Sequence, residues 1–349
     1  MDKSNENKSV QEDQTNAGIR RSHGEFVRGV SGFRDAIGDP DFPAEFGRYH
    51  LFVALNCPWC HRVVLARNLL GLQKSITMDI AFPNRTEEID PEGPNLWEFN
   101  PERISTLTGE TLPECTAETG TGQGFRLAKD IYSAEGSNEQ SVPILYDKIA
   151  KRIVSNESAD IIRMFDRHAA ALNSGLTEGM RPVLCPVDPD VKTHIDALNE
   201  LIYNTINNGA YKAGFSSDQS IYTTAYKAYF ETLEHLNALL SDGRPFLTGE
   251  KFNEADLRLF PTLYRHDPVY YVRMKLNGAK VFDYQHIWRW LCRVYALDGV
   301  AESSSLIHCR QGYFGRSWNG IIPAGPQMPM PYPEAYQHPE LANERSERS

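Results

Sequence analysis

The sequence predicts a two-domain α/β protein: an N-terminal mixed domain of order βαβ, helix, ββα, then an all-helical C-terminal domain. Three observations carry this. Short apolar runs alternate with helical patterns as far as residue 168. Beyond that point, apolar residues recur at three- and four-residue spacing. Between the two lies 173–190, which holds three prolines and two glycines and reads as a boundary loop. The 349 residues also suit two domains of about 150 residues each.

Residues 1–25 are polar and patternless and read as a disordered arm. The run 49–55 (YHLFVAL) reads as a buried strand, and 57–72 follows with a helical pattern. Pro58 suits a first helical position, where its missing N–H would be unpaired anyway, and Gly71 suits a C-terminal cap. A second strand, 75–82 (SITMDIAF), leads into a polar insertion, 83–124, with one aromatic cluster at Trp97 and Phe99. A short helix over 125–132, a hairpin of 141–146 with 152–154, and a helix over 158–168 complete the first domain, 26–172. The second domain, 173–333, opens with helices over 191–208 and 219–240. Asn253 followed by Asp256 is a capping-box variant, and the helix it opens is expected to kink at Pro261. A further amphipathic helix spans 284–297 and stops near Gly299. After a proline-rich run, 323–333, residues 334–349 read as a flexible tail.

Composition excludes several functions. Lys+Arg 36 against Asp+Glu 46 leaves a net charge of −10, which argues against a broad nucleic-acid footprint and against anionic membranes. No window approaches the roughly 18 consecutive apolar residues of a membrane span. The N-terminus lacks the apolar centre of a secretory signal. A cytoplasmic protein with six free thiols is therefore expected.

The strongest chemical signal is Cys57-Pro-Trp-Cys60-His61, between a strand and a helix. A thiol at a helix N-terminus faces unpaired N–H groups and the positive end of the helix dipole, and both favour the thiolate. Near pH 6, Cys57 is expected to outpace the other five cysteines with iodoacetamide. Cys60, one turn further in, is available as a resolving thiol. The same residues spell the CxxCH of covalent haem attachment, but that chemistry belongs to exported, mostly helical proteins. Zinc would want a second Cys or His pair, so neither haem nor metal is expected. Val142-Pro143 starts a strand; in a thioredoxin-like fold the bond would be cis and would leave the Val142 backbone free for a peptide-like ligand. Asn156-Glu157-Ser158 opens a helix, with Ser158 able to cap it and the N-terminus behind it able to hold a carboxylate. Each signal alone is ordinary. Together they describe a receptor for a short peptide bearing a thiol.

These residues carry a resemblance. The chain resembles the glutathione transferase superfamily and, within it, the xi class of glutathionyl-hydroquinone reductases, over roughly 48–326. The matching blocks are RYHLFVALNCPWCHR, Trp97-Glu-Phe99, SVPILYD followed by IVSNES, NNGAYKAGF, FNEADLRLF, RHDPVYY and GIIPAGP. The resemblance implies a thioredoxin-like N-terminal domain, an all-helical C-terminal domain, a site in the cleft between them, and a homodimer formed mainly through the helical domain. Cys57 matches the catalytic cysteine and Trp97 the tryptophan that covers glutathione. Val142, with Pro143, supplies backbone hydrogen bonds to its cysteinyl part, and Glu157 with Ser158 holds its γ-glutamyl end. Tyr211 and Tyr313 match tyrosines at the hydroquinone pocket. The implied partners are glutathione, as co-substrate, and a glutathionylated quinone or hydroquinone. Two other readings stay open: a glutaredoxin-like thiol transferase or dehydroascorbate reductase using Cys57 and Cys60, and a non-catalytic binding module. The chain departs from the pattern in three places. Cys60 replaces the usual alanine, Glu139-Gln140 stands where a basic residue is common, and the segment around Tyr313 is looser than the usual HYY type.

Overall fold

The computed structural model describes residues 21–86, 95–109, 120–173, 175, 181–315 and 319–325. The tail at 334–349 and most of the N-terminal arm lie outside these residues. The arm nevertheless takes regular structure in its last residues, 21–25. Strands β1 (Arg21–Ser22) and β2 (Glu25–Phe26) form an antiparallel hairpin within it. Tertiary contacts hold this hairpin: Arg21 donates to the Phe215 carbonyl at 2.6 Å, and the Phe26 ring packs on Tyr211 and Phe215.

The main sheet has four strands: β3 (Tyr49–Val53), β4 (Thr77–Ile80), β5 (Ile144–Asp147) and β6 (Arg152–Ser155). Their spatial order is β4-β3-β5-β6, with β3 and β4 parallel and the other pairs antiparallel. All five residues of β3 are buried. That is why its sequence does not alternate: it is apolar on both faces apart from His50, whose ring bonds to the Thr77 hydroxyl at 2.7 Å. Helix α1 (Pro58–Leu69) makes the crossover from β3 to β4. Helix α2 (Pro101–Thr108) lies in the insertion, where the sequence reading has no element; Asn100 caps it by accepting the Arg103 N–H at 3.2 Å. Helix α3 (Ala128–Ala134) precedes the hairpin, and α4 (Ser158–Leu172) follows it and packs on α1.

The second domain comprises α5 (Pro189–Leu201), α6 (Asn208–Phe215), α7 (Gln219–Leu239), α8 (Glu254–Arg265), α9 (Tyr271–Arg273), α10 (Gln285–Tyr295) and α11 (Leu306–Arg310). A π-helical turn, Ile202–Asn207, joins α5 to α6, so the helix does not end at Asn208 as its Asn-Asn-Gly composition suggests. Buried Asn207 explains this. Its amide donates to the Arg258 carbonyl at 3.1 Å and to the Thr262 hydroxyl at 2.8 Å, and tertiary bonding overrides local propensity. Likewise α8 runs through Pro261 to Arg265 before a second π-helical turn, His266–Tyr270.

The domains meet on α1, which packs on α8 as well as α4. Burial on both sides explains why α1 hides His61, Arg62 and Arg67 along with its apolar residues. No described helix is long and apolar enough to cross a membrane.

Candidate active site

Cys57 occupies the N-cap of α1 in extended conformation, with Pro58 as the first helical residue. It is partly exposed, whereas Cys60 is fully buried. The Cys57 sulfur lies 3.8 Å from the Val142 carbonyl, and the Val142–Pro143 peptide is cis. The strand-edge and thiol signals therefore meet in space. They do so at the entry to β5, an interior strand rather than an edge.

Burial pushes the Cys57 thiol up, but four influences outweigh it. The Cys60 thiol, the backbone N–H groups of Cys60 and Trp59, and the Arg265 charge bring it down to about 6. Cys60 moves the other way. Burial and the neighbouring Cys57 hold it well above the usual thiol range. One helical turn thus separates an ionised thiol from a protonated one, as expected for a helix N-terminus. The ring of Trp59 lies between two guanidinium groups, Arg28 at 4.1 Å and Arg62 at 4.5 Å from its centroid.

Facing this end of α1 is a set of hydroxyls. Tyr211, on α6, and Tyr313 are 2.8 Å apart, and Tyr270 lies 3.2 Å from Tyr313. Burial raises all three phenols, and the Cys57 charge raises Tyr211 further, so they are protonated donors at neutral pH. Sequence reasoning missed Tyr270, although RHDPVYY was a visible block. Gly312, beside Tyr313, marks a close approach: a Cβ there would lie 2.1 Å from the Asn56 amide.

The helix-cap signal needs correction in detail. The N-cap of α4 is Glu157, whose carboxylate accepts the Ala159 N–H at 3.0 Å; Ser158 is the first helical residue. A carboxylate has two oxygens and reaches the orphan amide as well as a serine does. The Ser158 hydroxyl donates to Glu157 at 3.4 Å, and Ser31 donates to its other oxygen at 3.1 Å. Tyr132, also missed, ties this end to the Val142 strand. Its buried hydroxyl accepts from the Asn156 amide at 3.0 Å and donates to the Ser141 carbonyl at 3.1 Å. Glu139 serves structure: it accepts from the Gly32 N–H at 3.1 Å and from Asn156 at 2.5 Å. Trp97 is buried under the Arg85 guanidinium, 3.9 Å from its ring. Among the described residues, none of its hydrogen-bond or ring contacts involves Cys57, Glu157 or Ser158. No group of three or more His, Cys, Asp or Glu among the described residues is placed to hold a metal ion.

A βαβ-ββα domain with a thiolate at its first helix, docked on an all-helical domain, defines a two-domain thiol-using transferase. Comparison with known proteins agrees. Residues 56–168 match the model of the glutathione S-transferase N-terminal domain, and 211–293 match that of its C-terminal domain. The chain is 36% identical to the glutathionyl-hydroquinone reductase YqjG of Escherichia coli, covering 86% of this chain and 88% of that one. It is 33% identical to the glutathionyl-hydroquinone reductase PcpF of Sphingobium chlorophenolicum, covering 89% and 93%. Among solved structures, the glutathione S-transferase Xi of Phanerochaete chrysosporium superposes with a TM-score of 0.75 at 33% identity, over 88% of this chain and 94% of that one. Glutathione-bound YqjG superposes with a TM-score of 0.73 at 35% identity, over 86% and 95%. The chain belongs to the xi class of the glutathione transferase superfamily.

Proposed function

We propose that this protein is a glutathione-dependent reductase that removes glutathione from S-glutathionyl-hydroquinones. The observation that carries the reading is the meeting of a lowered thiol, Cys57, with the paired hydroxyls of Tyr211 and Tyr313. The names of YqjG and PcpF support it.

In this reading Glu157 receives the γ-glutamyl ammonium of glutathione, and Ser158 receives its carboxylate at the α4 N-terminus. The Val142 backbone pairs with the cysteinyl unit, and Trp97 closes over the tripeptide. The Cys57 thiolate attacks the glutathionyl sulfur. A Cys57–glutathione disulfide forms while the sulfur–aryl bond breaks, and its electron pair stays on the aryl carbon. Tyr211 or Tyr313 delivers a proton there, which releases the hydroquinone. A second glutathione attacks the mixed disulfide, yielding oxidised glutathione and free Cys57, and its thiol proton restores the tyrosine. A homodimer through the helical domain and a cytoplasmic setting belong to the same reading.

Incubation with a glutathionylated hydroquinone and glutathione tests it. Stoichiometric release of hydroquinone and oxidised glutathione is expected. Absence of release, from protein that still accepts one glutathione at Cys57, would overturn it in favour of a glutaredoxin-like transferase.

A further inference from the structure

Arg265 ends α8 in the C-terminal domain and is completely buried. Its guanidinium donates to the Leu55 carbonyl at 2.7 Å, the Asn56 carbonyl at 3.2 Å, the Pro261 carbonyl at 2.8 Å and His61 Nδ1 at 2.7 Å. All four acceptors are neutral. Because the guanidinium only donates, His61 must accept at Nδ1, and its Nε2–H donates to Ser304 at 3.0 Å. Burial and the Arg265 charge also hold His61 well below its usual range. Among the described residues, no carboxylate pairs with Arg265. A buried cation without a partner costs several kcal/mol. An anion is therefore expected within reach.

The ionisable groups facing this cation are Cys57 and Cys60 on α1, Cys309 on α11, Tyr211 on α6, and Tyr270 and Tyr313. Burial raises all of them, and every one ends above its ordinary value except Cys57. There the Cys60 thiol, the Cys60 and Trp59 N–H groups and the Arg265 charge outweigh burial. Two of the four acceptors are the carbonyls of Leu55 and Asn56, the residues immediately before the thiol. The cation is thus locked beside the N-terminal end of α1, where it adds to the helix dipole.

We propose that Arg265 is the counter-charge of the Cys57 thiolate, a positioning residue supplied to the thioredoxin-like domain by the helical one. Thiol activation is then a property of the docked pair of domains. The inference concerns the thiol of the reaction proposed above, but its readout is ionisation of that thiol, so it can fail without the substrate assignment failing.

The test is the pH dependence of iodoacetamide labelling at Cys57 in the full chain, followed by mass spectrometry. Arg265→Gln keeps an N–H donor but loses the charge, and the labelling midpoint should rise by at least about one pH unit, a tenfold loss of thiolate below it. Arg265→Lys keeps the charge and should restore the midpoint. A folded Arg265→Gln protein with an unchanged midpoint would overturn the proposal. Should that variant not fold, Cys309→Asp leaves Arg265 intact and gives it a permanent anion. The Cys57 midpoint should rise there too, and an unchanged midpoint refutes the idea equally.

Discussion

The hydroxyl of Tyr211 lies 2.8 Å from that of Tyr313, a residue 102 positions further along the chain. Tyr270 bonds to the same Tyr313 hydroxyl, so each phenol can pass its proton to a neighbour. Removing one hydroxyl should interrupt proton delivery without disturbing the thiol. Tyr211→Phe and Tyr313→Phe should each lower hydroquinone release about 100-fold. Both variants should still take up one glutathione from oxidised glutathione, as read by mass. Unchanged turnover would mean that the aryl carbon takes its proton from another source.

Cys57→Ala should abolish activity, and Cys60→Ala should keep most of it under saturating glutathione. Cys60 is buried and its thiol is held protonated, so it is a poor nucleophile. Its contribution is a hydrogen bond that helps hold down the Cys57 thiol. Cys60→Ala should therefore lose activity first at low pH. Loss of nearly all turnover with the fold intact would indicate a dithiol mechanism.

Cys57 should also make stability depend on pH. Its folded value near 6 lies below the unfolded thiol value of about 8.5. A depressed acid contributes stability that is full above the unfolded value and is lost as pH falls through the folded one. The urea midpoint of the wild type, minus that of Cys57→Ala, should therefore grow between pH 6 and 8.5. A flat difference would contradict the lowered thiol.

Glu157→Gln should raise the KM for glutathione at least about tenfold with little change in kcat. Glutamine keeps the oxygen that caps α4 but loses the charge that faces the γ-glutamyl ammonium. Steady-state kinetics at fixed hydroquinone conjugate separates the two effects. An unchanged KM would remove Glu157 from the glutathione site.

Asp256→Ala should destabilise the helical domain by about 3 kcal/mol in urea denaturation. The buried carboxylate accepts from the Leu247 N–H at 2.9 Å, the Trp290 indole at 2.8 Å and the Asn253 N–H at 3.2 Å. Truncation leaves these three donors unpaired. A loss below about 1 kcal/mol would show that water replaces the carboxylate.

Much of this was legible because it is local. Pro58 and the strand before it place Cys57 at a helix start, and Asn253 with Asp256 announces the start of α8. Caps, periodicity and Pro geometry act within a few residues and survive in one-dimensional text. The hairpin at the N-terminal arm was not legible, because Arg21 and Phe26 find their partners near Phe215. The continuation of α6 to Tyr211 was hidden for the same reason. Asn207 is a poor helix former by itself and a good one only when Thr262 and Arg258 accept its amide.

The sequence by itself determined the two-domain order, the thiol at the helix start, the Val142–Pro143 strand entry and the helix start at Asn156-Glu157-Ser158, though not which of those residues caps it. Each depends on backbone chemistry among near neighbours. Only the tertiary structure decided how these parts act together. It brought Tyr270 and Tyr313 to Tyr211, and it set Arg265 against the carbonyls of Leu55 and Asn56 from 210 and 209 residues away. Charge and proton position in a buried site depend on what packing brings within a few ångströms, and no local pattern records that distance.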